Sequence, residues 1–212
     1  MKRQLDLTLY LVADVEACGA RGALATVRAA VAGGVTAVQL RDHRATTREL
    51  LSTALELRDL LAKEGIGFVV NDRLDVAMAA GADGVHLGQS DLPAEAARKI
   101  AGPELVIGWS VTNLMEAETA TAFPRGTVDY LGVGPIYATQ TKLNAAPAMG
   151  VEALHMVCSI SPLPCVAIGG IDAEHVAELA AVGAAGVAVV AAICGARDPR
   201  AAAGELRRRW GR

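Results

Sequence analysis

Short β-branched runs alternate with longer amphipathic stretches rich in Ala, Leu, Glu and Arg, and this alternation limits the fold more than any other feature of the chain. Each short run with the amphipathic stretch behind it reads as one βα unit. The predicted strands are Leu7–Ala13, Ala37–Leu40, Gly67–Val70, Gly84–Leu87, Leu105–Gly108, Tyr130–Val133, Cys165–Ile168 and Gly186–Val190. The predicted helices are Gly22–Val31, Thr47–Lys63, Leu74–Ala80, Ala94–Ile100, Leu114–Ala122, Val151–Ser159, Ala173–Val182 and Arg200–Trp210. Three junctions share one punctuation: Gly33-Gly34-Val35, Gly81-Ala82-Asp83-Gly84-Val85 and Gly183-Ala184-Ala185-Gly186-Val187. In each, glycine stops a helix and a buried strand follows at once. Parallel strands need crossover helices, so eight units in 212 residues predict an α/β fold, a single (β/α)8 barrel over residues 1–212, ahead of an open doubly wound sheet.

Composition supports a buried parallel sheet. Hydrophobic residues make up 52% of the chain but aromatics only 3%, so the core is built from short branched side chains. With 20% charged residues of mixed sign and a net charge of -3, no broad basic face for nucleic acid is expected. Charges and Gly-rich turns interrupt every apolar window, so no membrane span is expected either. The opening MKRQLDLTLYLVAD carries Asp6 and Asp14 and has no small-residue cleavage pattern, which makes it a first strand rather than a leader. Cys18, Cys158, Cys165 and Cys194 form no CxxC pair, in keeping with a reduced, cytoplasmic protein. His86, His155 and His175 lack the paired spacing of a zinc site, and no Gly-x-Ser-x-Gly elbow occurs.

In a barrel of this kind chemistry collects on the loops at the C-terminal ends of the strands. Polar residues are concentrated there: Gln39-Leu40-Arg41-Asp42-His43 after the second strand, Asn71-Asp72-Arg73 after the third, and His86-Leu87-Gly88-Gln89-Ser90-Asp91 at the fourth. The fifth ends at Ser110 and the sixth opens into a long segment from Gly134 to Gly150. Asp72 and Asp91 lie on neighbouring loops, where a hard cation such as Mg²⁺ would relieve their repulsion and keep positions open for water and phosphate. The other reading is local: Asp72 pairs with Arg73 or caps the helix that follows, and Asp91 caps the helix starting near Pro93. Arg41, His43 and Lys142 are either solvated surface charges or a basic cluster suited to a diphosphate. Asn71 and Gln39 either orient a substrate amine or ring nitrogen, or satisfy backbone groups at a strand end. His86 points into the barrel or the site, or is a satisfied core residue. Gly169-Gly170 is a tight turn that also lets backbone N–H groups approach an anion, together with those just past the eighth strand. The long segment after the sixth strand is either a phosphate-covering lid or a surface loop.

These phrases, taken with their order and spacing, resemble the thiamine phosphate synthase family over nearly the whole chain. They are Leu9-Tyr10-Leu11-Val12, Gln39-Leu40-Arg41, Asn71-Asp72-Arg73, Gly81 to Gln89, Asp91-Leu92-Pro93, Thr139-Gln140-Thr141-Lys142, Ala167 to Ile171, and the run ending in Ile193. The resemblance implies a transferase that joins an aminopyrimidine diphosphate to a thiazole phosphate, carboxylated or not, and releases pyrophosphate. It further implies that Gln39, Arg41 and Asn71 contact the aminopyrimidine diphosphate, with Ser110 at the pyrimidine end and Lys142 at the diphosphate. Thr139, Thr141 and the backbones of Gly170, Val190 and Ala191 would meet the thiazole phosphate. Asp72 and Asp91 would hold Mg²⁺. Leu40, Asp42, His43 and Gln140 complete the implied binding loops, and Arg41, Lys142 and Ser110 are the implied catalytic set.

The implied reaction is dissociative: diphosphate leaves the pyrimidine's exocyclic CH₂ and the thiazole nitrogen captures the resulting cation. No protein nucleophile is needed, only charge neutralisation, positioning and exclusion of water. Two positions depart from the family pattern, His43 where lysine is common and Asn144 where aspartate is common. The rival readings are a thiazole tautomerase-like relative and a non-catalytic thiamine-precursor binding protein. The implied partners are small molecules alone, and the sequence leaves the oligomeric state open.

Overall fold

The computed structural model describes residues 4–139 and 146–211. Gln140, Thr141, Lys142 and Asn144 therefore lie outside the described residues. Eight parallel strands close into a barrel in sequence order: β1 (Leu9–Asp14), β2 (Ala37–Arg41), β3 (Gly67–Asn71), β4 (Gly84–Leu87), β5 (Val106–Val111), β6 (Tyr130–Val133), β7 (Cys165–Ile168) and β8 (Gly186–Val189). Closure is made by β1 against β8, with Leu9 opposite Val187 and Leu11 opposite Val189.

Helices α1 (Val15–Cys18), α2 (Ala23–Ala32), α3 (Thr47–Glu64), α4 (Leu74–Ala80), α5 (Ala94–Ala101) and α6 (Leu114–Thr121) occupy the first five crossings. The others are α7 (Gly150–Ile160), α8 (Val176–Ala181), α9 (Ala191–Cys194) and α10 (Pro199–Trp210). Local sequence accounts for several boundaries. Thr46 and Glu49 form a reciprocal capping box at the start of α3, and Gly65 ends it in the left-handed conformation. Asp198 caps α10 through its bond from the Ala201 N–H, with Pro199 in the first helical turn.

The strand period of two sorts the side chains into two cores. Leu9, Leu11, Val38, Leu40, Phe68, Val70, Val85, Ile107, Leu131 and Val187 point outward and pack under the helices. Tyr10, Val12, Ala37, Val69, Val106, Tyr130, Val166 and Ala188 point inward and fill the barrel.

The structure shifts some predicted boundaries. β5 runs three residues beyond the predicted Gly108, because Trp109 turns outward against Phe123, their rings 5.9 Å apart and edge-on, while Val111 pairs with Val133. β8 stops at Val189, since Val190 bends away (φ -114, ψ -81) to start α9. α8 begins at Val176 rather than Ala173, the Asp172 carboxylate having taken the Glu174 N–H into a turn. Neither α1 nor α9 was predicted, each being a single turn too short to show a period.

Candidate active site

A cavity of about 490 Å³ opens at the C-terminal ends of the strands, where the loops converge. Its wall has two unlike halves. Over β1 to β6 it carries most of the polar inward-facing side chains; at β7 and β8 it is mainly aliphatic residues and a pair of glycines.

In the side-chain half, Gln39 is almost fully buried and its Nε2 donates to the Tyr10 hydroxyl at 3.0 Å. The hydroxyls of Tyr10 and Tyr130 lie 2.9 Å apart, and that of Tyr130 lies 3.0 Å from His86 Nδ1. His86 Nε2 is 2.9 Å from the Ser110 hydroxyl. His86 is thus hydrogen-bonded at both ring nitrogens and lines the cavity, so both the core and the site readings of it apply. Room for its ring comes from glycine: a Cβ on Gly108 would run into His86 Nδ1 and the end of the Tyr130 ring, and one on Gly132 would lie 2.8 Å from His86 Cε1. Burial holds Tyr10 up to about 12 and raises Tyr130 well above the usual phenol value, so both stay protonated at neutral pH.

Arg41, at the end of β2, is ion-paired with Asp14, at the end of β1 opposite it in the strand register. The same Asp14 carboxylate accepts the Ala17 N–H as the cap of α1, so it is fixed from two sides. A planar guanidinium held in this way keeps donors for a bidentate phosphate contact.

In the backbone half, Gly169 and Gly170 both have positive φ, 100° and 64°. A Cβ on Gly170 would stand 2.6 Å from the Ala138 carbonyl oxygen, so glycine is required there on two counts. Val190 and Ala191 line the same end. Tyr137, at the base of the long segment, stacks on His175 with ring centroids 3.8 Å apart and donates to Glu178 at 3.2 Å.

Of the residues singled out in the sequence, Gln39, Arg41, Asn71, Ser110, Thr139, Gly170, Val190 and Ala191 line the cavity. Leu40 does not: it is buried under the helices, on the outer face of β2. The Asp42 carboxylate is turned into its own loop, accepting the N–H groups of Arg44 and Ala45. His43 stands beside Asp72, its Nδ1 3.9 Å from the carboxylate.

The local readings of the two candidate metal ligands are not what is found. Arg73 is bound to Asp75 and to Thr47, and neither α4 nor α5 has a side-chain cap. Asp72 instead has a positive φ of 60°, unlike any other described non-glycine residue, at a backbone cost of about 1–2 kcal/mol. That conformation lets its N–H reach the His86 carbonyl at 2.8 Å and ties the loop after β3 to β4. Asp91 accepts the Gly88 N–H at 2.6 Å, which fixes the next loop. Both carboxylates thus sit on pinned loops that follow neighbouring strands. Among the described residues no group of three or more His, Cys, Asp or Glu side chains converges, and neither Asp72 nor Asp91 is among the residues that line the cavity.

Sequence reasoning missed Tyr10, Asp14, Thr112, Tyr130 and Asp172 as parts of or supports to this wall. Both tyrosines occupy inward positions, on β1 and β6, and their partnership across the barrel has no local signal in the sequence.

The family model described as thiamine monophosphate synthase matches residues 9–193. The chain belongs to that family. A thiamine-phosphate synthase from Albidiferax ferrireducens is 51% identical over 201 residues, covering 95% of this chain and 90% of that protein. One from Xanthobacter autotrophicus is 50% identical over 207 residues, covering 98% and 97%. Among solved structures, a thiamine phosphate pyrophosphorylase from Pyrococcus furiosus superimposes with a TM-score of 0.88 at 39% identity, covering 97% of this chain and 96% of that one. Membership of the thiamine monophosphate synthase family places the chain among the transferases of thiamine biosynthesis, on a (β/α)8 barrel.

Proposed function

We propose that this member of the family joins an aminopyrimidine diphosphate to a thiazole phosphate, giving thiamine phosphate and pyrophosphate. The observation that carries the reading is the two-sided cavity: inward polar side chains and Arg41 on one side, glycine-built backbone on the other. A charged leaving group suits the first and a phosphate monoester the second.

The bond from the pyrimidine's exocyclic CH₂ to the diphosphate oxygen breaks, and its electron pair leaves with the diphosphate. The thiazole nitrogen then donates its lone pair to the carbon and forms the new C–N bond. Arg41, held by Asp14, neutralises the departing charge. Gln39 and Ser110 hold the ring, and Gly170, Val190 and Ala191 hold the acceptor's phosphate so that its nitrogen meets the carbon. Asp72 and Asp91 are the residues that would hold Mg²⁺, which when bound supplies Lewis-acid neutralisation of the diphosphate. Lys142 and Thr141 belong to the same proposal through the resemblance, as does closure of their segment against water. One domain acting in the cytoplasm on small molecules completes the reading; no described helix is long and apolar enough to cross a membrane.

The test is incubation of the purified protein with both substrates and Mg²⁺, followed by assay of thiamine phosphate. Product with release of one pyrophosphate is expected. Proton exchange into the thiazole without coupling would support a tautomerase-like enzyme, and binding without turnover a precursor-binding protein.

A further inference from the structure

Two thiols meet where the barrel closes. Cys18 ends α1, the turn that follows β1, and Cys194 ends α9, the turn that follows β8, so the pair joins the first and last units beside the seam of those two strands. Both side chains are buried and hydrogen-bonded to one another, and Cys194 Sγ also lies 3.6 Å from the Val12 carbonyl oxygen of β1. Arg21 grips the loop behind Cys194, donating to the carbonyl oxygens of Ala196 at 2.9 Å and Arg197 at 3.2 Å. The Thr26 hydroxyl is fully buried, has no hydrogen-bond partner of its own among the described residues, and faces the Cys18 sulfur. A buried donor left unpaired is costly, and a thiolate at Cys18 would accept from it. The hydrogen bond from Cys194 holds the Cys18 thiol below its usual value, to about 7, against burial and the Asp14 carboxylate, with Thr26 and Arg21 acting in the same direction as Cys194. Cys194, the donor of the pair, is pushed up. Neither cysteine lines the cavity.

We propose that Cys18 and Cys194 form a reversible disulfide when the chain meets hydrogen peroxide, and that this bond fastens α1 to α9 and weakens the phosphate end of the cavity. The Cys18 thiolate attacks one peroxide oxygen: an S–O bond forms, the O–O bond breaks, and the other oxygen leaves as hydroxide, which takes up a proton to become water. The Cys194 sulfur then attacks the Cys18 sulfenic acid: the S–S bond forms, the S–O bond breaks, and the second oxygen leaves as water with the Cys194 proton. Two thiols are thereby oxidised by two electrons and one peroxide is reduced to two waters. The two turns themselves give access. Each has four residues, and Gly19, Ala20 and Arg21 beside Cys18 are exposed, so a local opening admits a molecule little larger than water. Drawing the sulfurs from hydrogen-bond contact into a covalent bond tilts α9, whose other end carries Val190 and Ala191. N–H groups aimed at one phosphate lose their aim when the turn tilts, a consequence that rests on the phosphate reading given above.

The test treats with hydrogen peroxide a chain carrying Cys158→Ser and Cys165→Ala, which leaves Cys18 and Cys194 as the remaining thiols of the four. The intact mass should fall by two hydrogens with no covalent dimer, and a thiol reductant should restore it. Because the link closes a loop over most of the chain, the melting temperature should rise by about 10 °C on oxidation and return on reduction. The Kd for the thiazole phosphate should rise about fivefold at the same time. Adding Cys18→Ala or Cys194→Ala should abolish all three changes. If the doubly substituted chain does not fold, mapping peroxide-treated wild type for a peptide linked through Cys18 and Cys194 gives the same reading. Unlinked thiols after treatment, or oxygen added at Cys18 without a link, overturn the proposal, and a complete link that leaves the Kd unmoved overturns its effect on the cavity. Thiamine phosphate formation by the reduced protein is scored separately: its absence sinks the proposed function, while the mass and melting shifts still decide the disulfide.

Discussion

The two ends of the cavity are built by different means. Between β1 and β6 the wall is a set of buried side chains whose partners are other side chains. At β7 and β8 it is aliphatic side chains and backbone, shaped by glycines with positive φ and by the bend at Val190. The first can discriminate between rings that differ in one donor or acceptor, because an unpaired buried group is expensive. The second suits the phosphate of the proposed acceptor, whose oxygens are alike and which needs only N–H groups pointing at one place. Substitution should therefore hurt the first half whenever a side chain is removed, and the second only when one is added.

The largest effect is expected from Arg41→Ala, which removes the cavity-lining cation proposed to meet the leaving group. We expect kcat/KM for the pyrimidine diphosphate to fall roughly 10³-fold, with the melting temperature little changed. A loss under tenfold would place the burden of charge neutralisation elsewhere. Next come Asp72→Ala and Asp91→Ala, each expected to lower turnover about 10²-fold and to raise the Mg²⁺ concentration needed for half-maximal rate. Full activity in excess chelator would remove the metal from this half of the site.

The backbone half is broken by addition. Gly170→Ala introduces a Cβ 2.6 Å from the Ala138 oxygen at a φ of 64°, and should raise KM for the thiazole phosphate about 30-fold while leaving pyrimidine diphosphate binding near wild type. Asp14→Asn leaves Arg41 in place but weakens its anchor, and about a tenfold loss in kcat is expected with KM for the thiazole unmoved. The smallest effect belongs to Val190→Ala, which deletes a side chain where the proposal needs only backbone. A change in KM above about threefold, measured in steady state, would show that the contrast between the halves is drawn too sharply.

The eight-unit alternation was legible because strands and helices of this fold differ in period and length, and glycine marks their joints. Gln39, Arg41, Asn71 and Ser110 were legible for a related reason: each is polar within or at the end of a strand whose other residues are apolar. Tyr10 and Tyr130 were not, since their hydroxyls meet only when β1 and β6, 120 residues apart, face each other across a closed barrel. Asp14 was hidden in the same way. Nothing near it in sequence indicates Arg41, 27 positions on, and its capping of α1 would explain it without the ion pair. Asp72 was visible as a carboxylate, but its positive φ goes with the hydrogen bond to the His86 carbonyl, a contact from the loop after β3 to strand β4.

Closure of β1 on β8 bears on how the chain is made as well as on what it does. Leu9 pairs with Val187, so one edge of the first strand waits for the last strand to leave the ribosome. At about 5–20 residues per second that delay is roughly 10–35 s. Throughout it β1 presents unpaired backbone beside the apolar Leu9, Leu11 and Ala13, the kind of edge that recruits other nascent chains. A ribosome-stalled chain ending before Gly186 should therefore bind a holdase chaperone that the finished barrel does not. Synonymous codons that slow translation between β7 and β8 should lower soluble yield while leaving the activity of each folded molecule unchanged.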